Sequence, residues 1–164
     1  MKMIPLTQGK VALVDDGDYE SLSKYKWYTH RNAKGKFYAA RNINVNGKRK
    51  TLRMHVSILG KVDGMMIDHI NGSTVDNRRC NLRRCTNAEN LRNRGATKSN
   101  KSGFKGVTWR NKNNKWHSYI RYNGRAIHLG YFTCLVKAAK AYDEAARRLF
   151  GEFANTNFKE ECNV

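Results

Sequence analysis

The 164-residue chain has one proline, few acidic residues, and no apolar stretch longer than a tetrapeptide such as Val11-Ala12-Leu13-Val14. Apolar runs that short exclude a membrane-spanning helix and a secretory-signal core. Its four cysteines (Cys80, Cys85, Cys134 and Cys162) include no Cys-x-x-Cys pair, which argues against a four-thiolate zinc site. With no secretory signal, reduced thiols and a cytoplasmic location are expected. The scarcity of acids leaves 32 Lys+Arg against 13 Asp+Glu, a formal charge of +19. The excess is spread along the whole chain and not gathered in one tail. A distributed positive field of that size points to a polyanionic partner, nucleic acid first of all, with a merely solvated cationic surface as the plainer alternative.

Aromatic residues, by contrast, are present in number: three Trp, eight Tyr and six Phe, within 40% hydrophobic residues. That composition predicts a folded chain. The stretch Gly95–Gly103 carries no large apolar residue and reads as a linker over 95–103. It separates a first domain, 1–94, from a second, 104–158. In the first, Met3–Leu6 and Lys10–Val14 are strand-like, and the acidic Asp15–Asp18 precedes a short helix start near Tyr19. Asn46-Gly47 then separates the alternating runs Phe37–Val45 and Lys48–Met54, a strong hairpin signal. The register puts Ala39, Ile43, Val45, Leu52 and Met54 on one face and Asn42, Asn44, Arg49, Thr51 and Arg53 on the other. Amides and guanidiniums on one ribbon face suit a DNA groove through Arg49 and Arg53; a half-solvated hairpin explains them equally well.

The most informative stretch runs from Met66 through Asp68-His69-Ile70-Asn71-Gly72 to Asp76-Asn77-Arg78-Arg79-Cys80-Asn81-Leu82-Arg83, then Thr86-Asn87-Ala88-Glu89-Asn90. Two short apolar runs, one ending at His69 and one spanning Asn81–Cys85, predict two strands. Thr86 and Glu89 form a capping box that predicts a helix carrying Asn90. A carboxylate and an amide oxygen are hard ligands suited to Mg²⁺ or Mn²⁺. A neutral imidazole beside them can take a proton from water. Metal, base and phosphate together make a phosphodiester hydrolase.

These residues resemble the HNH nucleases, in the His-Asn-Asn branch of phage and intron-encoded homing endonucleases. The match lies in Asp68-His69, Asn81 twelve residues after the histidine, and Asn90 nine further on. The resemblance implies a ββα-metal core over about 65–94, with His69 as general base. It also implies that Asp68 and Asn90 hold one divalent ion, Mg²⁺ first and Mn²⁺ second, and that Asn81 braces the loop and orients the histidine. His55 either contacts the scissile phosphate, supports the metal shell or is structural. Asn77 is either a supporting residue or a turn residue. Arg78, Arg79, Arg83 and Arg84 flank the centre as candidate phosphate contacts. Cys85 is expected in the core.

Residues 104–158 predict three strands and a helix: Lys105–Arg110, Lys115–Tyr122, and Arg125–Tyr131 after a second Asn-Gly turn at Asn123-Gly124. The expected register pairs Ile120 with Ile127, Tyr119 with His128 and Ser118 with Leu129. Trp116, Ile120, Ile127 and Leu129 then face inward, while His117, Tyr119, Arg121 and His128 face outward. Thr133 would cap a helix reaching Phe150, whose inner stripe is Leu135, Ala138, Tyr142, Ala145 and Leu149.

The phrases Gly103-Phe104-Lys105-Gly106-Val107, His128-Leu129-Gly130-Tyr131-Phe132 and Ala138-Ala139-Lys140-Ala141-Tyr142-Asp143 resemble the Apetala-two domain of plant ethylene-response factors. The resemblance implies that the sheet lies in the DNA major groove, with Lys105, Arg110, Arg121 and His128 at contact positions and Tyr119 on the same face. His128 stands where plant members often carry Trp, and Cys134-Leu135-Val136 replaces an acidic helix start, so base preference does not transfer.

The fold expected is α+β: a β-rich N-terminal region with a ββα-metal core, then a three-stranded antiparallel sheet on one helix. The function expected is a metal-dependent, sequence-biased DNA endonuclease of homing type. It would nick double-stranded DNA as a monomer, with no membrane and no obligate protein partner, in the bacterial host cytoplasm if phage-encoded. A non-catalytic DNA-binding regulator is the alternative, and an RNA-binding protein ranks behind it for want of stacking motifs.

Overall fold

The computed structural model describes residues 1–97 and 99–158, which form an α+β chain of several small antiparallel sheets and few helices. The chain divides into two compact units, one over Met1–Asn87 and one from Ala88 onward. Among the described residues, no helix is long and apolar enough to cross a membrane.

In the first unit, β1 (Lys2–Pro5) and β2 (Val11–Val14) pair antiparallel, and α1 (Asp16–Ser23) follows with Asp16 and Asp18 in its first turn, where acidic side chains favour the helix dipole. Next come β3 (Tyr28–Arg31), β4 (Phe37–Val45) and β5 (Lys48–Arg53), hydrogen-bonded in that order. The β4–β5 hairpin has the expected register, with Val45 opposite Lys48 and Arg41 opposite Leu52. Asn46 and Gly47 take φ of 52° and 75°, as its two-residue turn requires. One core joins Ile4, Leu6, Ala12, Val14, Leu22, Trp27, Ala39 and Met54. The buried Trp27 keeps its indole N–H satisfied by donating to the Leu22 carbonyl at 2.8 Å.

Two features of this unit depart from expectation. Met54 does not end β5 but opens a short helix, α2 (Met54–Leu59), so it enters the core from a helix. Ile43, Val45 and Leu52 are only half-buried, whereas Asn42, Asn44, Arg49 and Thr51 are exposed. The ribbon therefore projects beyond the core and covers only its Ala39 end.

In the second unit, β8 (Val107–Arg110), β9 (Lys115–Tyr122) and β10 (Arg125–Phe132) form an antiparallel sheet ordered β10-β9-β8, and α4 (Leu135–Phe150) packs against it. Ala138, Ala139, Tyr142, Ala145, Ala146 and Phe150 are buried on α4, while Leu135 and Leu149 pack at the margin. The helix is capped by Cys134, in extended conformation, and not by Thr133. The amides of Lys137 and Val136 lower the Cys134 thiol pKa, the polarisation expected at a helix start.

The register also differs. Ile127 pairs with Ile120 and His128 with Tyr119 as expected, but a bulge follows and Ser118 pairs with Gly130, not with Leu129. The extra residue brings Tyr131 opposite His117 and Phe132 opposite Trp116. Leu129 still packs against the core, whereas Ile127 is 38% exposed beside the hairpin turn.

A polar clasp closes this unit. The buried Asp143 carboxylate accepts the backbone N–H groups of Asn157 at 2.7 Å and Phe158 at 2.9 Å, and the Asn157 side chain bonds both backbone groups of Lys105. Next to it Gly106 sits at φ 75°, where an added Cβ would lie 2.0 Å from Tyr142 Cδ2 and 2.6 Å from the Tyr119 carbonyl oxygen. Tyr142 is buried and cannot swing away. Gly106→Ala is expected to destabilise the protein by roughly 3 kcal/mol or more, from overpacking plus backbone strain. Urea unfolding checks it; an unchanged midpoint would remove this contact from the account of the fold.

Candidate active site and nucleic-acid interface

The strand β6 (Met66–His69) pairs antiparallel with β7 (Leu82–Cys85), placing Asp68 opposite Arg83 and His69 opposite Leu82. The pairing sets an ion pair across the ladder, Arg83 Nη2 to Asp68 Oδ2 at 3.2 Å, with both side chains about a tenth exposed. Cys85 is fully buried, as expected, and Cys80 is exposed.

Between the strands the chain is polar and holds its shape through side-chain amides. Asn81 Oδ1 accepts the Asn71 N–H at 2.9 Å, and Asn81 Nδ2 donates to the Asp76 carbonyl at 2.8 Å. The backbone carbonyl of Asn81 takes the Ile70 N–H at 2.9 Å. Asp76, 3% exposed, accepts from Asn71 Nδ2 and from both Arg78 Nε and Nη2. The Arg78 guanidinium holds the Asp76 carboxyl below its ordinary pKa. Backbone bonds between Leu13 and both Val75 and Asn77 stitch the loop to β2.

His69 ends this loop's first strand and is 4% exposed. Its Nε2 lies 3.4 Å from Asn77 Oδ1, and the orientation of that amide is fixed because Asn77 Nδ2 donates to the Val75 carbonyl. An amide oxygen only accepts, so the contact assigns the proton to Nε2 and the basic lone pair to Nδ1. Burial pushes the His69 pKa down, against the upward effects of Asn77 and Asp68. His55, from α2, stands edge-on to His69 with ring centroids 5.0 Å apart. Burial first, then His69 and Arg53, push the His55 pKa down to about 3. Tyr38 of β4 packs its ring on both imidazoles, at 5.8 and 6.2 Å, and the Arg53 guanidinium lies over Tyr38 at 4.7 Å. Two neutral imidazoles, one carboxylate and an arginine thus converge in the first unit.

The flanking arginines divide. Arg78 is paired with Asp76, and Arg79 makes two bonds to Asp18 at 2.8 Å and one from its N–H to Asp15. Arg84 bonds the Leu59 carbonyl. A phosphate contact by any of these competes with an existing internal partner. Arg49 stands exposed on the ribbon. Tyr38 and Asp76 are the residues sequence reasoning missed. Asp76 lay within the quoted motif, but only the fold shows that its carboxylate organises the loop.

Asn90 lies half-buried on α3 (Asn87–Arg92), which starts directly after Thr86 and belongs, from Ala88 onward, to the second unit. The end of that helix is held there: Arg92 lies over the Phe150 and Tyr122 rings, and its carbonyl accepts Lys105 Nζ at 2.5 Å. Lys105 is consequently turned inward, and burial lowers its pKa to about 8. On the sheet's outer face Arg110, Tyr119, Arg121 and His128 come together around a shallow hollow of about 390 Å³, with Thr108, His117 and Ala126 completing its lining.

The donor chemistry of the first unit fits a hard divalent cation. Asp68 offers carboxylate oxygen, and the neighbouring imidazoles are uncharged. Among the described residues no group of three or more His, Cys, Asp or Glu gathers as a metal cage. An ion at Asp68 would accordingly depend on amide, phosphate and water oxygens for its other ligands.

This hairpin, amide-braced loop and buried histidine define a nuclease-like centre, and comparison with known proteins identifies the class. Residues 56–92 match the family model described as HNH endonuclease. An uncharacterized HNH endonuclease of Acanthamoeba polyphaga mimivirus is 30% identical over 151 residues, covering 92% of this chain and 76% of that protein. Protein 3.8 of Escherichia phage T7 is 30% identical over 110 residues, 64% of this chain and 90% of its own length. An AP2-like ethylene-responsive transcription factor of Arabidopsis thaliana, TOE2, is 36% identical over 67 residues, 41% of this chain but 14% of its own. The chain belongs to the HNH endonuclease family. It is a DNA endonuclease, DNA is its partner, and members of the family generally use divalent metal ions.

The buried imidazoles make stability depend on pH. His55 has an unfolded pKa near 6.5 and a folded value of about 3, so the unfolded chain binds the extra proton between them. Its contribution is complete above pH 6.5 and is lost as pH falls toward 3. Between pH 6.5 and 4 the wild type is expected to lose on the order of 3 kcal/mol more than His55→Phe. Urea titrations at both pH values measure this, and equal losses in the two proteins would contradict it.

Proposed function

We propose that this endonuclease is a metal-dependent, site-selective enzyme of the homing type that nicks duplex DNA as a monomer. The observation that carries the proposal is the His69 imidazole, neutral by burial and oriented by Asn77 beside the Asp68 carboxylate. His69 acts as general base through Nδ1, taking the proton of the attacking water. The Asn77 amide oxygen then faces the N–H of the imidazolium and steadies its charge. Asn81 keeps His69 in place by closing the loop that follows it.

Asp68 holds the divalent ion, Mg²⁺ in preference and Mn²⁺ as a substitute; the part of Asn90 as second ligand rests on its spacing in the motif. A bound ion supplies charge stabilisation at the scissile phosphate and the departing oxygen. Arg83 balances the Asp68 charge in its nearly enclosed position. The second unit serves as an Apetala-two-like recognition module, with the outer sheet face toward the major groove. Support comes from the residues gathered there and from the plant relatives. Arg49 and Arg53 on the ribbon add phosphate contacts. The similarity to a phage protein supports action in a host cytoplasm.

Supercoiled plasmid carrying a cleavable site tests this directly. Wild type with Mg²⁺ should accumulate open circles before linear DNA, and chelation should stop the reaction. His69→Ala and Asp68→Ala should each cut at least about 100-fold more slowly while still shifting DNA in a gel. Wild-type cutting by His69→Ala removes the base assignment, cutting in excess chelator removes the metal, and direct linearisation removes the nicking monomer.

A further inference from the structure

We infer that His117 fixes the tautomer of His128, so that the outer sheet face presents a single N–H donor at His128 Nε2 and selects guanine at one position of the DNA site. The inference rests on the reading of that face as DNA-contacting.

The two histidines are diagonal neighbours: His128 stands opposite Tyr119 on β9, and His117 stands opposite Tyr131 on β10. Their ring planes lie within 23° of parallel with centroids 4.9 Å apart, yet His117 Nε2 is 2.8 Å from His128 Nδ1. A nitrogen contact that short at that centroid separation places the rings edge to edge, with one proton shared along the in-plane line. Two arrangements satisfy it in the neutral pair. Either His117 donates from Nε2 and His128 keeps its other proton on Nε2, or His128 donates from Nδ1 and His117 keeps its other proton on Nδ1.

Burial decides between them. His117 Nδ1 is shielded from solvent and has no hydrogen-bond partner among the described residues. A proton there would be an orphaned donor, at a cost of about 1–3 kcal/mol, whereas a bare lone pair costs less. A cationic pair would also have to carry hydrogen on that nitrogen. Burial, His128 and Arg110 accordingly hold the His117 pKa below the ordinary imidazole range. The first arrangement remains: His117 donates, and exposed His128 points an Nε2–H outward.

In the major groove guanine offers two adjacent acceptors, N7 and O6, whereas adenine places a donor beside its N7, cytosine presents a donor, and thymine offers the single acceptor O4 beside a methyl group. A lone N–H therefore favours guanine. The opposite tautomer, with a bare Nε2, would favour adenine or cytosine. Tyr131 packs on both imidazoles and Tyr119 lies on His117, which keeps the pair in one plane. The specificity thus lies in two residues acting as a unit: His128 touches the base, and His117 is a positioning residue.

The test uses the full chain labelled with ¹⁵N-histidine at pH 7.5, and randomised duplexes selected without divalent metal. Imidazole nitrogen shifts should show hydrogen on Nε2 of both residues. Selection should return guanine at one position with about fivefold preference, the worth of one hydrogen bond. In His117→Phe, which keeps a flat ring, His128 should populate both tautomers and the preference should fall below about twofold. In His117→Gln, whose amide can still donate, it should persist. A bare His128 Nε2 in the wild type, or an unaltered base profile in His117→Phe, overturns the inference. If His128→Ala changes neither affinity nor profile, the face does not contact DNA and the underlying reading fails instead.

Discussion

The side chain of Asn81 is the interaction on which the loop between β6 and β7 depends. One amide closes a loop that has almost no apolar anchor of its own, accepting from Asn71 with its oxygen and donating to Asp76 with its nitrogen. Buried at 4% exposure, those bonds are shielded from water, and losing either would leave a buried polar group unmet. The consequence is positional: Asp76 stays over Arg78, Asn77 is held between Leu13 and His69, and the imidazole receives one orientation. Without it, β6 and β7 would still pair, but nothing in their short ladder would fix the loop that faces His69.

The same unit shows how a very basic protein uses its arginines. Arg78, Arg79 and Arg83 each neutralise an aspartate of the fold, so a share of the 32 Lys+Arg is structural and adds nothing to the net +19. One of these pairs joins elements distant in sequence: Arg79 ties the loop back to α1 through Asp18. A different solution serves Asp143, whose buried carboxylate is met by Asn157 and the N–H of Phe158. There the tail of the second unit is fastened without a buried ion pair and its desolvation penalty.

The parts of the fold legible in the sequence are those with local causes. Asn46-Gly47 and Asn123-Gly124 fix both hairpins because only such residues accept positive φ readily, and the register follows from a two-residue loop. The apolar stripe of α4 follows from helical period. The strand β3, the helix α2 and the bulge before Gly130 were not legible, since each is decided by tertiary pairing. The bulge shapes the outer face: with an unbroken ladder Tyr131 would face the core, and that face would lose the ring beside His117 and His128. At the candidate site the juxtaposition of Asp68, His69 and Asn81 is legible by residue type and spacing. Tyr38 and the nest it makes with His55 are not, because β4 approaches α2 and β6 only through the fold.

Histidine chemistry unites the two units. Burial lowers the pKa of His55, His69 and His117 alike, and nearby arginines act in the same direction on His55 and His117. Burial disfavours the charged form of these three imidazoles, and in a chain this basic the ambient field adds to it. A neutral imidazole is useful only when its tautomer is defined, because the two ring nitrogens then have opposite roles. At His69 the Asn77 amide oxygen performs that selection, leaving Nδ1 basic. At His117 we infer that a buried Nδ1 without a partner among the described residues performs it, leaving a donor for the neighbouring ring. Positive charge draws the polyanion in; hydrogen bonds too short-ranged to see in the composition decide what each histidine can do once it arrives.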